Sequence, residues 1–264
     1  VVAEPRPAAS VLLVRRDRHP IEVYMIRRDP RLRFLGGYYA FPGGKVDAAD
    51  AAPGALARCR GVDPAGAARV LSPGATGHLP PLAFWVAAAR ELLEETGILA
   101  AGDEGGRPLD PHDPAVAARI AAARRTLAEG TAPLETVLAR EGWWLDLGGF
   151  RYLSHFITPP TSPIRFTARF FLAPLPAGQS PRLDGGEASE GLWIAPRAGV
   201  EGYESGRMPM AEPAEAGLRY LAEFPDLDAL WAAHGDGRHK FHGIADRVVA
   251  AGFAMPRGRR AAGA

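Results

Sequence analysis

Apolar positions gather into three short runs near the start of the chain. Residues 9–15, 21–27 and 38–41 are rich in Val, Ile, Leu or Tyr and are bounded by Asp, His, Pro or Gly, which predicts three strands. Asp17 to Pro20 reads as the turn of a hairpin joining the first two, and Pro42, Gly43 and Gly44 break the third. A loop carrying Pro53, Pro64, Pro73, Gly74 and Gly77, with short alanine-rich helical turns inside it, leads to Pro80 and Pro81. From about 82 to 96 the residues are good helix formers. The prolines suit the start of a helix there and Gly97 suits a left-handed cap at its end.

Residues 102–114 read as a turn-rich connection, and 115–127 and 134–140 as two amphipathic helices. Strand-like runs follow at 150–157, 164–175 and 191–195, separated by Pro-rich and Gly-rich turns. The segment from 211 to about 234 is helical by composition, and 257–264 reads as a frayed end. No internal repeat is visible. Strands, interposed helices and further strands indicate an α/β or α+β sandwich with a mixed sheet.

Composition narrows the function classes. The 264 residues suffice for a real hydrophobic core, and 47% hydrophobic with 23% charged residues is ordinary for a globular chain. A net charge of +1 argues against a general polyanion or nucleic-acid binder, leaving only a local patch open. Nearly all of the basic residues are arginines, Lys45 and Lys240 being the exceptions, which reads first as compositional bias. Cys59 is the single cysteine, so an internal disulfide and a cysteine-rich zinc site are excluded and a reducing, cytoplasmic setting is expected. Apolar stretches such as 82–89 fall far short of the roughly 20 residues a membrane span needs, and 11–14 is too short for a signal peptide.

The chemistry-bearing segment is Arg90-Glu91-Leu92-Leu93-Glu94-Glu95-Thr96-Gly97-Ile98. On a helix Glu91, Glu94 and Glu95 stand at i, i+3 and i+4, so the three carboxylates share one face. Like charges at this spacing cost an isolated helix about 0.2–0.5 kcal/mol per pair. Acids in a last turn also oppose the helix dipole by roughly 0.3–1 kcal/mol each. A solvated acidic face is the plainer reading of three glutamates alone. A hard divalent cation, Mg²⁺ or Mn²⁺, would resolve the conflict instead, because clustered carboxylate oxygens are what such ions require.

Taken with Phe41-Pro42-Gly43-Gly44-Lys45-Val46-Asp47, the segment resembles the Nudix box. In that motif a glycine, five residues, an acid and seven residues precede R-E-U-x-E-E-x-G-U, U being aliphatic. The second half matches at every specified position. In the first half Asp50 stands where the motif has glutamate, and 39 residues, 51–89, occupy the space of seven.

The resemblance implies a Nudix α/β/α sandwich over residues 8–210. Insertions fall at about 51–82 within the box and, as extra helices, at about 102–147, and a helical extension, 211–264, packs on the same domain. It makes Glu91, Glu94 and Glu95 ligands of Mg²⁺ or Mn²⁺ together with the Gly43 carbonyl. Glu91 or a nearby acid also activates water, and Arg90 orients the glutamates. Family members often add an acid from a later loop; here that is Glu187, with Glu190 second, either of which could equally be an ordinary turn acid. The implied reaction is metal-assisted attack of water on a phosphoanhydride linked to a nucleoside diphosphate.

Upstream, Arg28, Arg33 and Gly37 keep the spacing R-x4-R-x3-G-x3-FPGG, which resembles the coenzyme A signature of CoA diphosphatases, although Tyr24, Met25, Ile26 and Asp29 depart from it. The long insertion resembles the acyl-CoA diphosphatase branch. This implies CoA or acyl-CoA as substrate, cleaved to 3',5'-ADP and (acyl-)phosphopantetheine, with Arg28, Arg33, Gly37, Phe41 and Gly44 at the substrate; solvated strand-end arginines are the alternative. ADP-ribose, NADH or another nucleoside diphosphate is the second substrate reading, and a catalytically silent nucleotide-binding module the third.

Arg165 and Arg169 share one face of a predicted strand, with Phe166 and Phe170 on the other, so the arginines either face the cleft or form an outer charged face. Trp143, Trp144 and Tyr152 could stack on adenine or line an acyl channel, but core packing is commoner for such residues. His239 and His242 form an H-x-x-H without a partner acid motif. The expected partner is a small-molecule nucleotide, with no nucleic acid and no membrane; a homodimer is left open.

Overall fold

Strand β1 (Arg6–Arg15) is apolar almost throughout because both of its faces are covered. It pairs antiparallel with β2 (Glu22–Arg28) through Val14↔Val23 and Arg15↔Glu22, closing the expected hairpin. It pairs in parallel with β9 (Phe166–Pro174) over the whole run from Arg6↔Phe166 to Val14↔Pro174. Nearer its start β1 exchanges β2 for β4 (Gly43–Lys45), with Ala9↔Gly44 and Ser10↔Gly43. The short β3 (Tyr39–Ala40) lies against β2. With β8 (Arg151–Ile157) beside β9 and β10 (Ala188–Ile194) beside β2, the mixed sheet runs β10-β2-β1-β9-β8. The computed structural model describes residues 3–71, 77–184, 186 and 188–234.

Side chains alternate across this sheet and build two cores. Ala9, Val11, Leu13, Ile26, Phe171 and Ala173 face α3 (Ala83–Thr96). Leu12, Val14, Val23, Met25, Phe170 and Leu172 face the other way, onto Met208, Met210 and the helices α7 (Glu212–Leu221) and α8 (Leu227–His234). An α/β/α sandwich results. The helical stretch expected from 211 is these two helices, broken near Pro225, and α6 (Pro196–Glu204), which the pattern did not suggest, precedes them. His239, His242 and 257–264 lie outside the described residues.

The described parts of the inserted segments interlock. A 3-10 turn (Ala48–Ala51) leads into the first, which contributes α1 (Pro53–Ala57), β5 (Cys59–Arg60) and α2 (Pro64–Val70). The second contributes β6 (Ala101–Gly102), α4 (Pro114–Ala128), α5 (Leu134–Glu141) and β7 (Trp144–Asp146). β7 holds β5 and β6 in a small second sheet, and Ala55, Ala67, Leu134, Val137, Leu138 and Trp143 extend the core behind α3. The sequence pattern marked the helices but not this sheet, whose two- and three-residue strands carry no alternation to read. With insertions behind and the sheet in front, 11 of the 14 residues of α3 are buried; the remaining three are Glu91, Glu94 and Glu95. Gly97, at φ 74°, ends the helix in the left-handed conformation its position requires, its N–H donating to the Leu93 carbonyl. No helix among the described residues is long and apolar enough to cross a membrane.

Phe41 belongs to this packing. Its ring is 4% exposed and lies against Gly217 of α7, where an added Cβ would stand 2.7 Å from Cε2. Truncation by Phe41→Ala is expected to lower stability by about 3–5 kcal/mol in urea unfolding, as removal of a buried aromatic does.

Candidate active site

The site is organised around a buried guanidinium. Arg90 Nε donates to Asp50 Oδ1 at 2.8 Å and Nη2 to Asp50 Oδ2 at 3.0 Å, a bidentate pair. Nη2 also reaches the Lys45 carbonyl at 2.8 Å, and Nη1 reaches Glu91 Oε1 at 2.9 Å and Glu94 Oε1 at 3.2 Å. These contacts match the five N–H donors of an arginine. Asp50 is fully buried. It is one methylene shorter than glutamate, yet it reaches Arg90 because the 3-10 turn carries it inward, where its carboxylate also accepts the Asp47 N–H at 2.8 Å.

The two glycines of the Phe-Pro-Gly-Gly turn make room for the carboxylates. Gly43 N–H donates to Glu95 Oε2 at 2.7 Å. A Cβ on Gly44 would run into the Glu91 carboxylate, and one on Gly43 into the backbone of Ala9 and Ser10 on β1. Strand β4 therefore sits against β1 on one side and against the glutamate face of α3 on the other.

Burial pushes Glu91 up to about 7; Arg90 opposes this rise and Glu94 adds to it. Glu94 is raised as well, chiefly by burial. Burial works against the Arg90 charge too, but Asp50, Glu91 and Glu94 more than offset it and hold the guanidinium above its ordinary range. Two half-shielded acids on one helix face, with one arginine between them, are short of positive charge. Among the described residues no three His, Cys, Asp or Glu side chains close into a ready-made cage. The donor chemistry nevertheless suits a hard divalent cation, since the side chains on this face are carboxylates.

The upstream motif forms a closed loop beside the site. Arg28 ends β2; its N–H donates to the Tyr38 carbonyl at 2.9 Å and its carbonyl accepts from Gly37 N–H at 2.9 Å. Gly37, at φ 77°, supplies the left-handed turn that closes the loop. Arg33 is exposed on it, and Phe34 pins it to Phe166, ring centroids 5.7 Å apart. Arg28 is the cross-strand partner of Ala188. Glu187 itself lies outside the described residues, while Glu190 accepts from Tyr39 Oη at 3.2 Å and is 4.0 Å from Arg27.

The remaining candidates lie away from the glutamate face, Trp143 and Tyr152 in the core packing that is commoner for them. Phe41 packs in the core instead of meeting a ligand. Arg165 precedes β9 and ties chain segments together, donating to the carbonyls of Thr158 at 2.9 Å and Ala3 at 2.7 Å. Arg169 is neither an open cleft residue nor an outer charge. It is 1% exposed, bonded to Thr167 Oγ1 at 2.6 Å and set 5.0 Å from the ring of Phe84 on α3. Trp143 is core, Tyr152 stacks edgewise on Phe171, and Trp144 lies under Arg58 and Arg60 in the second sheet. Sequence reasoning missed Arg124 of α4, 6% exposed, which grips the end of α3. One arginine among many, on a helix after the motif, carries no local signal.

No protein-family model matches the chain. It is 32% identical to a NUDIX hydrolase from Alicyclobacillus acidocaldarius of known crystal structure, covering 86% of this chain and 96% of that one with a TM-score of 0.71. The acyl-coenzyme A diphosphatase NUDT19 of Gallus gallus is 29% identical over 266 residues, 85% of this chain and 70% of its own length. A Caenorhabditis elegans protein provisionally named nudix hydrolase 7 is 25% identical over 228 residues, of which this chain spans 64% of the length.

Asp50→Ala, which strands the Arg90 charge in the interior, is expected to cost about 3–5 kcal/mol of stability in denaturant titration. The raised Glu91 has a pH consequence. Between its ordinary 4.5 and about 7 the folded state holds a proton the unfolded chain has lost. Its contribution to stability is present below that window and disappears as pH rises through it. In EDTA the Tm should fall from pH 5 to 8, and Glu91→Gln should flatten that fall; an unchanged slope would refute the assignment.

Proposed function

Because the chain belongs to the Nudix hydrolase family, we propose that it cleaves the diphosphate of coenzyme A or an acyl-CoA, releasing 3',5'-ADP and the (acyl-)phosphopantetheine half. As a member of that family it is a hydrolase of phosphoanhydride bonds. The observation carrying the substrate assignment is the Arg28-Arg33-Gly37 loop, which runs directly through the Phe-Pro-Gly-Gly turn into the glutamate face. The similarity to an acyl-CoA diphosphatase supports the same reading.

In this reading Glu91, Glu94, Glu95, the Gly43 carbonyl and Glu187 hold Mg²⁺ or Mn²⁺. Such an ion, when bound, neutralises phosphate oxygens and lowers the pKa of water. Glu91 takes the proton from the attacking water at a carboxylate oxygen. Arg90 keeps Glu91 and Glu94 at fixed separation, so that the base is held in place for the attacking water. Arg28 and Arg33 meet the anionic end of the substrate, where guanidinium forks bind phosphate bidentately and a 3'-phosphate would give them purchase. Gly44 leaves the approach to the carboxylates clear. Phe41, Arg165 and Arg169 have no part in it.

Purified protein with Mg²⁺, offered CoA, acyl-CoA, NADH, ADP-ribose and diadenosine polyphosphates, tests the assignment. CoA or acyl-CoA should exceed ADP-ribose and NADH in kcat/KM by about tenfold or more. The reverse order would refute the substrate and leave the family untouched. Glu94→Gln and Glu95→Gln should each lower kcat on the order of 100-fold with the fold intact by circular dichroism.

A further inference from the structure

An α-helix leaves its last four carbonyls without intrahelical partners. In α3 these belong to Leu93, Glu94, Glu95 and Thr96, the residues that carry or flank two of the three carboxylates. All four are satisfied from outside the helix. Gly97 N–H serves Leu93 at 2.9 Å, and Arg182 N–H serves Thr96 at 2.8 Å. The middle two are taken by one side chain: Arg124 Nε donates to the Glu94 carbonyl at 2.9 Å and Nη2 to the Glu95 carbonyl at 2.8 Å. Its remaining arm, Nη1, is 2.6 Å from Asp184 Oδ2, two residues beyond Arg182. A Cβ at Gly97 would come 3.3 Å from Nη1, a tight approach that this position avoids.

We propose that Arg124 is the positioning residue of the carboxylate face. Delivered by a helix of the second insertion, it fixes the backbone from which Glu94 and Glu95 project and fastens the 182–184 segment to it. It also places a positive charge at the helix end where three glutamates and the dipole concentrate negative potential. Cation affinity therefore depends on a group that touches neither cation nor substrate. The inference rests on the reading of Glu91, Glu94 and Glu95 as cation ligands, not on the identity of the substrate.

Isothermal titration of the full chain with Mn²⁺ alone, without substrate, is the test. Arg124→Gln should weaken Mn²⁺ binding by about tenfold or more, as loss of a group that orients ligands does. Arg124→Lys, which keeps the charge and can serve one carbonyl, should recover part of the loss. Leu218→Ala, buried on the opposite face of the sheet, gives a comparison of lowered Tm and should leave the affinity within about twofold.

Wild-type affinity in Arg124→Gln, or an equal loss of affinity in Leu218→Ala at equal loss of Tm, overturns the inference. If Arg124→Gln does not fold, Arg124→Lys and Asp184→Asn carry the comparison, and wild-type affinity in both overturns it. A wild-type protein that binds Mn²⁺ but leaves CoA intact removes the substrate assignment alone. One that binds no Mn²⁺ removes the cation reading and this inference with it.

Discussion

The burial of Arg90 among Asp50, Glu91, Glu94 and the Lys45 carbonyl is the constraint on which the rest depends. A guanidinium placed beneath a sandwich core is tolerable only if every N–H is met and its charge is answered. Meeting those terms draws in the 3-10 turn, strand β4 and the last turns of α3 at once. The glutamates are the complementary half of the bargain: they face each other at helical spacing, and the arginine keeps two of them from moving apart. Under the proposed function these are the acids that share a cation.

Support for that arrangement comes from several layers. The sheet supplies the floor, because β4 can lie on β1 only with glycine at position 43, while Gly44 leaves room for the Glu91 carboxylate. The insertions supply the back wall, since they bury the remaining surface of α3 and leave only the glutamates uncovered. The end of the helix is closed by Arg124 and the backbone of Arg182. Local propensity, which disfavours acids in a last turn, is thus overridden by contacts made from distant parts of the chain.

Much of this was legible from the sequence, and for identifiable reasons. The helix announced itself through Pro80, Pro81 and Gly97, and its chemistry through three acids at i, i+3 and i+4, because helical periodicity is a local property. Most strands of the main sheet read clearly because their apolar runs are bounded by turn residues, but β4 did not, since Gly43 and Gly44 read as a break. What stayed hidden is what depends on partners far along the chain. Arg169 and Phe41 look like binding residues in one dimension and are buried against α3 and α7 in three. The second sheet joins residues 59 and 145, and no local signal connects them. Arg124 is one arginine in a chain full of them, and only the orphaned carbonyls of α3 single it out.

The parallel pairing of β1 with β9 also dictates an order of assembly. Arg6 meets Phe166 across roughly 160 residues of intervening chain, so the most central strand of the sheet makes one of its most distant contacts. During synthesis the first hairpin emerges early with an open apolar edge. It must wait while the box, both insertions and β8 are made before that edge is covered. The carboxylate face is encoded in the first hundred residues, yet the strand that braces its floor and the Arg182 backbone that closes its helix come from far downstream.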